Sequence, residues 1–267
     1  MRVRNENEQA SSIAFFAWYH TPWSLAELSG VGFDAAEAAI EYGATKVILS
    51  SSSQARIGSA IAKLKNAYYS SRAEIIGFAA NLAEESTLEE TVQTLFSKVG
   101  VLDHIIFTAG DAPQLTPFVD TDFTTMKQAG MVRFFAPLLV ARYGHKNLAP
   151  GPASSITLTT GVSGEKPIAG WAVTSSYLSG LHGMMRGLAL DLKPTRVNLV
   201  SPGGMDTAMW NILDSESKAS VLSELGKLTT TGHVGRSQDI AEAYLYCMKD
   251  WNLTGTVISS NGGRLLV

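Results

Sequence analysis

Two short runs carry the residue types that bind phosphate. In Ser29-Gly30-Val31-Gly32-Phe33, glycine lets the backbone turn sharply and bring its N–H groups against a pyrophosphate at the mouth of a helix. Downstream, Ser50-Ser51-Ser52-Ser53-Gln54-Ala55-Arg56 offers hydroxyls and one guanidinium. Such groups match phosphate oxygens, whereas a carboxylate at this place would accept a hydrogen bond from a ribose 2′-OH. The run contains no acid. Gly30 and Gly32 therefore predict a pyrophosphate site, and Ser52, Ser53 and Arg56 predict selection of NADP through its 2′-phosphate. Metal chemistry is not expected: the five histidines, His20, His104, His145, His182 and His233, lack ligand spacing. The single cysteine, Cys247, lies in the apolar run 243–248 and reads as a buried, inert thiol.

A phosphate-binding turn needs a helix after it and a strand beyond, and the chain supplies both. Phe33 to Tyr42 is Ala-rich with helical periodicity, and Lys46-Val47-Ile48-Leu49 is β-rich. Further helical patterns cover Ile57 to Ala67, Ser86 to Val99 behind a Ser86/Glu89 capping box, Phe123 to Tyr143, Leu178 to Leu192 and Gln238 to Met248. Strands are read at 74–78, 104–107, 155–158, 196–200 and 256–259. Short apolar strands separated by helices indicate a parallel sheet covered on both faces. The expected fold is a single-domain α/β, doubly wound, Rossmann-like sheet, whose ligands sit at the carboxyl ends of the strands where strand order reverses. Met205 to Gly235 reads either as a lid over a pocket or as an ordinary pair of surface helices.

Composition narrows the partners. With 267 residues, 45% hydrophobic, 17% charged and a net charge of -3, the chain suits one globular unit with a small-molecule partner and shows no electrostatic footprint for nucleic acid. No run approaches the roughly eighteen apolar residues of a membrane span. Arg2, Arg4 and the apolar stretch Ile13 to Tyr19 mimic a secretion signal, but Glu6, Glu8, His20 and Pro22 oppose it, so a cytoplasmic location is expected.

Several motifs together resemble the short-chain dehydrogenase/reductase superfamily over residues 29 to 264. They are Gly30-x-Gly32, Thr108-Ala109-Gly110, Arg196-Val197-Asn198-Leu199-Val200-Ser201-Pro202-Gly203 with Thr207, and Thr254-Gly255 through Gly262-Gly263. The resemblance implies Asn81 near an adenine, Ala109 and Gly110 beside a ribose, and Pro202, Gly203 and Thr207 along the nicotinamide side. Thr157 to Trp171 and Arg186 to Pro194 look like fungal natural-product reductases, including those of indole-alkaloid pathways that join imine reduction to a Diels-Alder cyclisation. The family also suggests a homo-oligomer packed through the helices near 123–143 and 178–192.

The departures from the family carry the chemical question. Its Tyr-x-x-x-Lys pair, in which the lysine lowers the tyrosine pKa for proton exchange, falls on Thr174 and Leu178. Tyr177 lies close by without a cation four residues on, so it reads as an unassisted acid or as a packed helix residue. Thr160 matches the family's substrate-binding serine. Arg133 stands where the family has a helix asparagine, and Asp111 follows Thr108-Ala109-Gly110, so both are candidate catalytic residues or, alternatively, solvated charges. The family's first strand and Gly-x-x-x-Gly-x-Gly turn would put a glycine at Ala26, and Pro22 disfavours a central strand there. Residues 1–28 are therefore expected to be an atypical segment, either a degenerate strand or a misjoined exon, ahead of a dinucleotide-binding domain at 29–267.

Reducing a ketone takes a hydride and a proton, whereas reducing an iminium ion takes only the hydride. The leading expectation is an NADP-dependent reductase of a small, iminium-type intermediate held near Asp111, Arg133, Thr160, Trp171, Met205 and Trp210. The alternatives are a non-redox cyclase or isomerase that acts by positioning, and a catalytically silent nucleotide-binding homologue.

Overall fold

Runs of Val, Ile and Leu bounded by polar turns become strands in the computed structural model, which describes residues 12–16, 30–111, 117–206 and 213–267. The strands are β1 (Ser12–Phe16), β2 (Lys46–Ser51), β3 (Glu74–Ala79), β4 (His104–Phe107), β5 (Ser155–Thr159), β6 (Arg196–Pro202), the short β7 (Met205–Asp206) and β8 (Gly235–Arg236), and β9 (Val257–Ser260). Among the described residues the main sheet runs β3-β2-β1-β4-β5-β6-β9, every pair parallel, while β7 pairs only with β8. The connecting helices are α1 (Val31–Glu41), α2 (Gln54–Ala67), α3 (Leu88–Val99), α4 (Phe123–Gln128), α5 (Ala136–Gly144), α6 (Ala172–Asp191), α7 (Ser215–Lys227) and α8 (Ser237–Lys249).

Alternation along the strands divides the core in two. Ile48, Ile105 and Ile156 face one way and pack with Val92, Leu95, Val140 and Leu181 of α3, α5 and α6. Val47, Leu49 and Ile106 face the other way and pack with Ala35, Ile57, Leu64 and Tyr244 of α1, α2 and α8. Both faces of the sheet are thus covered, as its continuous apolar strands require. Cys247 is buried in the second layer, where desolvation pushes its thiol up to about 12. No helix among the described residues is long and apolar enough to cross a membrane.

The amino edge of the sheet is polar and closed. His104, Ser155 and Arg196 open three adjacent strands in register. His104 Nδ1 lies 2.9 Å from Ser155 Oγ. The buried Arg196 guanidinium donates to the carbonyls of Pro152 (2.6 Å), Ala153 (3.3 Å), Leu253 (3.3 Å), Cys247 (2.5 Å) and Met248 (2.9 Å). The last two are orphan acceptors at the end of α8, where a cation also suits the helix dipole.

Three expectations are corrected. The segment 1–28 supplies a regular central strand after all: β1 lies upstream of the Pro22 region and pairs with β2 through Ile13↔Val47 and with β4 through Ile13↔His104. Pro22 and Ala26 fall outside the described residues. The Ser86/Glu89 capping box does not form, because α3 starts at Leu88 and Ser86 Oγ instead donates to Glu84 Oε1 at 2.9 Å. The single helix expected at 123–143 is broken by a π-helical turn, Met131–Phe135, between α4 and α5.

Candidate functional site

Strand order reverses between β1 and β4, so a ligand crevice is expected above their carboxyl ends. Gly30 caps α1 with φ 89°, ψ −164°, a conformation closed to residues with a Cβ. Its carbonyl accepts from the amides of Phe33 (2.9 Å) and Asp34 (3.1 Å). Gly32 is buried in the first turn. Behind it the buried Asp34 meets Ser237, the first residue of α8; desolvation raises its carboxyl above the usual value, and the Ser237 hydrogen bond works against that rise.

The predicted 2′-phosphate residues gather at the ends of β2 and β3. Arg56 Nη2 donates to Ser52 Oγ at 2.6 Å. Ser53 is the N-cap of α2, its Oγ accepting from the Arg56 amide at 3.4 Å. Its oxygen therefore serves the helix, which leaves Ser52 and Arg56 as the pair suited to a phosphate. Ala80 N donates to Ser51 O at 2.8 Å, which brings Asn81 alongside; Asn81 Oδ1 accepts from the Ala83 amide at 3.1 Å.

At the end of β4 the π turn decides the geometry. A π turn holds an extra residue and re-aims the side chains it carries. Here both Phe134 N (2.8 Å) and Phe135 N (3.0 Å) donate to Gly130 O. Arg133, inside this turn, lays its guanidinium 3.5–3.7 Å from where a Cβ on Gly110 would stand. Its Nη2 donates to the backbone carbonyl of Asp111. Asp111 and Arg133 are thus brought together beside Ala109 and Gly110, joined through the Asp111 main chain.

Thr160 follows β5, its amide donating to Val200 O at 2.9 Å. Its buried hydroxyl donates to Leu178 O at 2.8 Å. Tyr177 is held by packing and by one hydrogen bond. Its hydroxyl donates to Met126 O at 3.1 Å, and its ring packs on Phe134 and Phe135 and leaves no room for a Cβ at Gly130. This bond ties α6 to α4. Pro202 ends β6, and Gly203 donates to Ser260 O at 3.0 Å, with only 2.7 Å between a Cβ there and Asn261 Cα. Trp171 caps α6 and Met205 opens β7, while Thr207 and Trp210 lie outside the described residues.

A crevice between α4 and the start of α6 is lined by Phe118, Thr125, Ala129, Gly170, Val173 and Thr174. Its surroundings carry the exposed apolar side chains Phe118, Val119, Phe123 and Ile168. One polar group at the end of β6 was not foreseen from the sequence, Glu165 in the loop between β5 and α6, whose Oε1 accepts from Ser201 Oγ at 3.2 Å. No spacing rule announces that contact, because it joins a loop to a strand end 36 positions away.

The model of the SDR-like Rossmann domain matches residues 20–267. The chain belongs to the short-chain dehydrogenase/reductase family. It is 46% identical over 242 residues to the short-chain dehydrogenase/reductase fsr5 of Gibberella fujikuroi, covering 89% of this chain and 91% of that protein. It is 37% identical over 242 residues to malC of Malbranchea aurantiaca, covering 89% and 91%. The solved structure of the MalC reductase/Diels-Alderase from the same organism superimposes with a TM-score of 0.87 at 33% identity, covering 97% of this chain and 98% of that one. The likeness to fungal members of the short-chain dehydrogenase/reductase family agrees with the resemblance of segments 157–171 and 186–194. Thr174 and Leu178, the residues on which the family's tyrosine and lysine are expected to fall, are both buried in α6.

Proposed function

We propose that this chain is an NADP-dependent reductase of a small natural-product intermediate whose reacting carbon is part of an iminium group. The observation that carries the reading is the orientation of the Thr160 hydroxyl. A group that activates a ketone must donate to its oxygen, but the Thr160 proton is already committed to Leu178 O. What remains on Thr160 is acceptor capacity, which suits an N–H⁺ rather than a carbonyl. The buried Thr174 and Leu178 point the same way, since neither can deliver a proton as a tyrosine beside a lysine does. Losing a positioned general acid costs roughly 10²–10⁴ in rate for a ketone, and a cationic substrate avoids that loss.

For the cofactor, Gly30 leaves the first amides of α1 facing a pyrophosphate site, and the Ser52–Arg56 pair fits a 2′-phosphate. When bound, the nicotinamide supplies the hydride. Arg133 fixes the loop at Gly110 and Asp111, and Phe118 and Val173 give the crevice apolar walls. A second reading, cyclisation by positioning alone, draws support from the MalC structure, which is described as a reductase/Diels-Alderase.

Titration with NADPH and NADH, followed by nicotinamide fluorescence, tests the cofactor. NADPH is expected to bind more tightly, and Arg56→Gln to remove the preference. Turnover of a cyclic imine in excess of its ketone counterpart tests the substrate class. Faster reduction of ketones would overturn the reading, and cyclisation without consumption of NADPH would favour the second.

A further inference from the structure

We propose that Glu165 is a specificity-determining residue: its carboxylate is the counter-charge that selects a cationic ligand. The proposal rests on the iminium reading above and names the group that recognises the charge. Ser201 is the penultimate residue of β6 and wholly buried, so its hydroxyl must place its proton on a neighbour. That neighbour is Glu165 Oε1, at 3.2 Å. The bond draws a loop carboxylate onto the carboxyl edge of the sheet.

The strand end that holds Glu165 adjoins the one that carries Thr160. The Thr160 amide bonds Val200 O at 2.9 Å, one residue before Ser201, so Glu165 returns over the strand end adjoining Thr160. Its charge is also unmatched. Among the described residues no cation forms an ion pair with Glu165, and Lys166 beside it directs Nζ to Arg264 O at 3.4 Å instead. Arg133, the cation at the neighbouring β4 end, donates to Asp111 O. An exposed carboxylate held in place yet lacking a counter-ion is electrostatically complementary to a bound cation and indifferent to a neutral ring of the same shape.

The competing explanation is a staple that only holds the loop. Glu165→Gln separates the two, because the amide oxygen still accepts from Ser201 while the charge is gone. The probes are N-methyl-3,4-dihydroisoquinolinium, a permanent cation, and 2-tetralone, a neutral ring of similar size. Binding to the full chain is measured by calorimetry, with and without NADPH, alongside KM and kcat. Glu165→Gln is expected to weaken the cation about tenfold, equivalent to about 1.4 kcal/mol, with 2-tetralone and kcat unchanged. Ser201→Ala should weaken the cation about two- to threefold by freeing the carboxylate.

Equal shifts for both probes, or none for the cation, would overturn the proposal. If the wild type reduces the cation and Glu165→Gln does so with the same KM, this inference fails while the proposed function stands. If the cation binds through Glu165 but takes no hydride, the inference stands and the proposed function fails. A wild type that binds no cation overturns this inference, and one that also leaves the N–H iminium of 3,4-dihydroisoquinoline unreduced overturns the proposed function as well.

Discussion

The two edges of the sheet treat their polar groups in opposite ways. At the amino edge, His104 meets Ser155, and Arg196 hands its protons to five carbonyls around the end of α8. At the carboxyl edge, Thr160 keeps acceptor capacity, Arg133 donates to the Asp111 carbonyl on a loop, and Glu165 holds a charge that meets no cation among the described residues. Both edges have the same parallel ladder beneath them. What differs is whether the polar groups are consumed by the fold or left able to meet something else. A buried polar group with its partners all in place stabilises and specifies structure. One with capacity left over is where chemistry can happen.

The largest effect that would test this contrast is at the closed edge. Arg196→Met strands the buried carbonyls of Cys247 and Met248 and frees three part-buried ones, and a loss of about 3–5 kcal/mol is expected in urea denaturation; an unchanged midpoint would mean that the edge is not held by this residue. Next comes Arg133→Met, expected to lower imine turnover about 10²-fold while moving the urea midpoint by less than about 1 kcal/mol. Should stability fall as far as for Arg196→Met, the two edges would not differ in kind.

Acid sharpens the comparison further. Burial, with the nearby Arg196 charge, lowers the His104 pKa to about 3 from an ordinary 6.5. The folded state therefore holds the neutral ring. Its contribution is fully present above about pH 6.5 and is lost as the pH falls toward 3. Thermal melts between those limits should show stability dropping with acid, and His104→Asn should flatten that slope without altering NADPH binding. The smallest effect belongs to Tyr177→Phe, which removes one bond to Met126 O. It should cost about 0.5–1.5 kcal/mol and leave the pH–rate profile unmoved; a shifted profile would point to Tyr177 as an acid.

The architecture was legible because both of its signals are local. Runs such as Val47-Ile48-Leu49 and Ile105-Ile106-Phe107 are too apolar to face water on either side, and the Ala-rich helix at 31–41 fits flat against α8. The first strand, Ser12–Phe16, was not legible, because the family's spacing back from the glycine turn points to the Pro22 region and the strand lies farther upstream. Helical periodicity over 123–143 could not reveal the π turn, since a bulge changes the backbone bonds and keeps the apolar pattern. At the site, Ser52, Arg56, Asp111 and Arg133 were named from type and context, and the structure groups them as two pairs. The bond from Tyr177 to Met126 O was not legible, because a hydroxyl in a stretch of helix says nothing about which carbonyl it meets. Glu165 and the reach of Arg196 were invisible, because both depend on partners dozens of residues distant.

The π turn at Met131–Phe135 also bears on how this scaffold can diversify. An α-helix advances by roughly 100° per residue, so a one-codon deletion there would restore regular helix and swing everything before it around the axis relative to α5. Arg133 would leave Gly110. Because Met131 and Val132 of the same turn are core residues, that step would also force their layer to repack, so on this scaffold the substrate edge and the core beneath it change together.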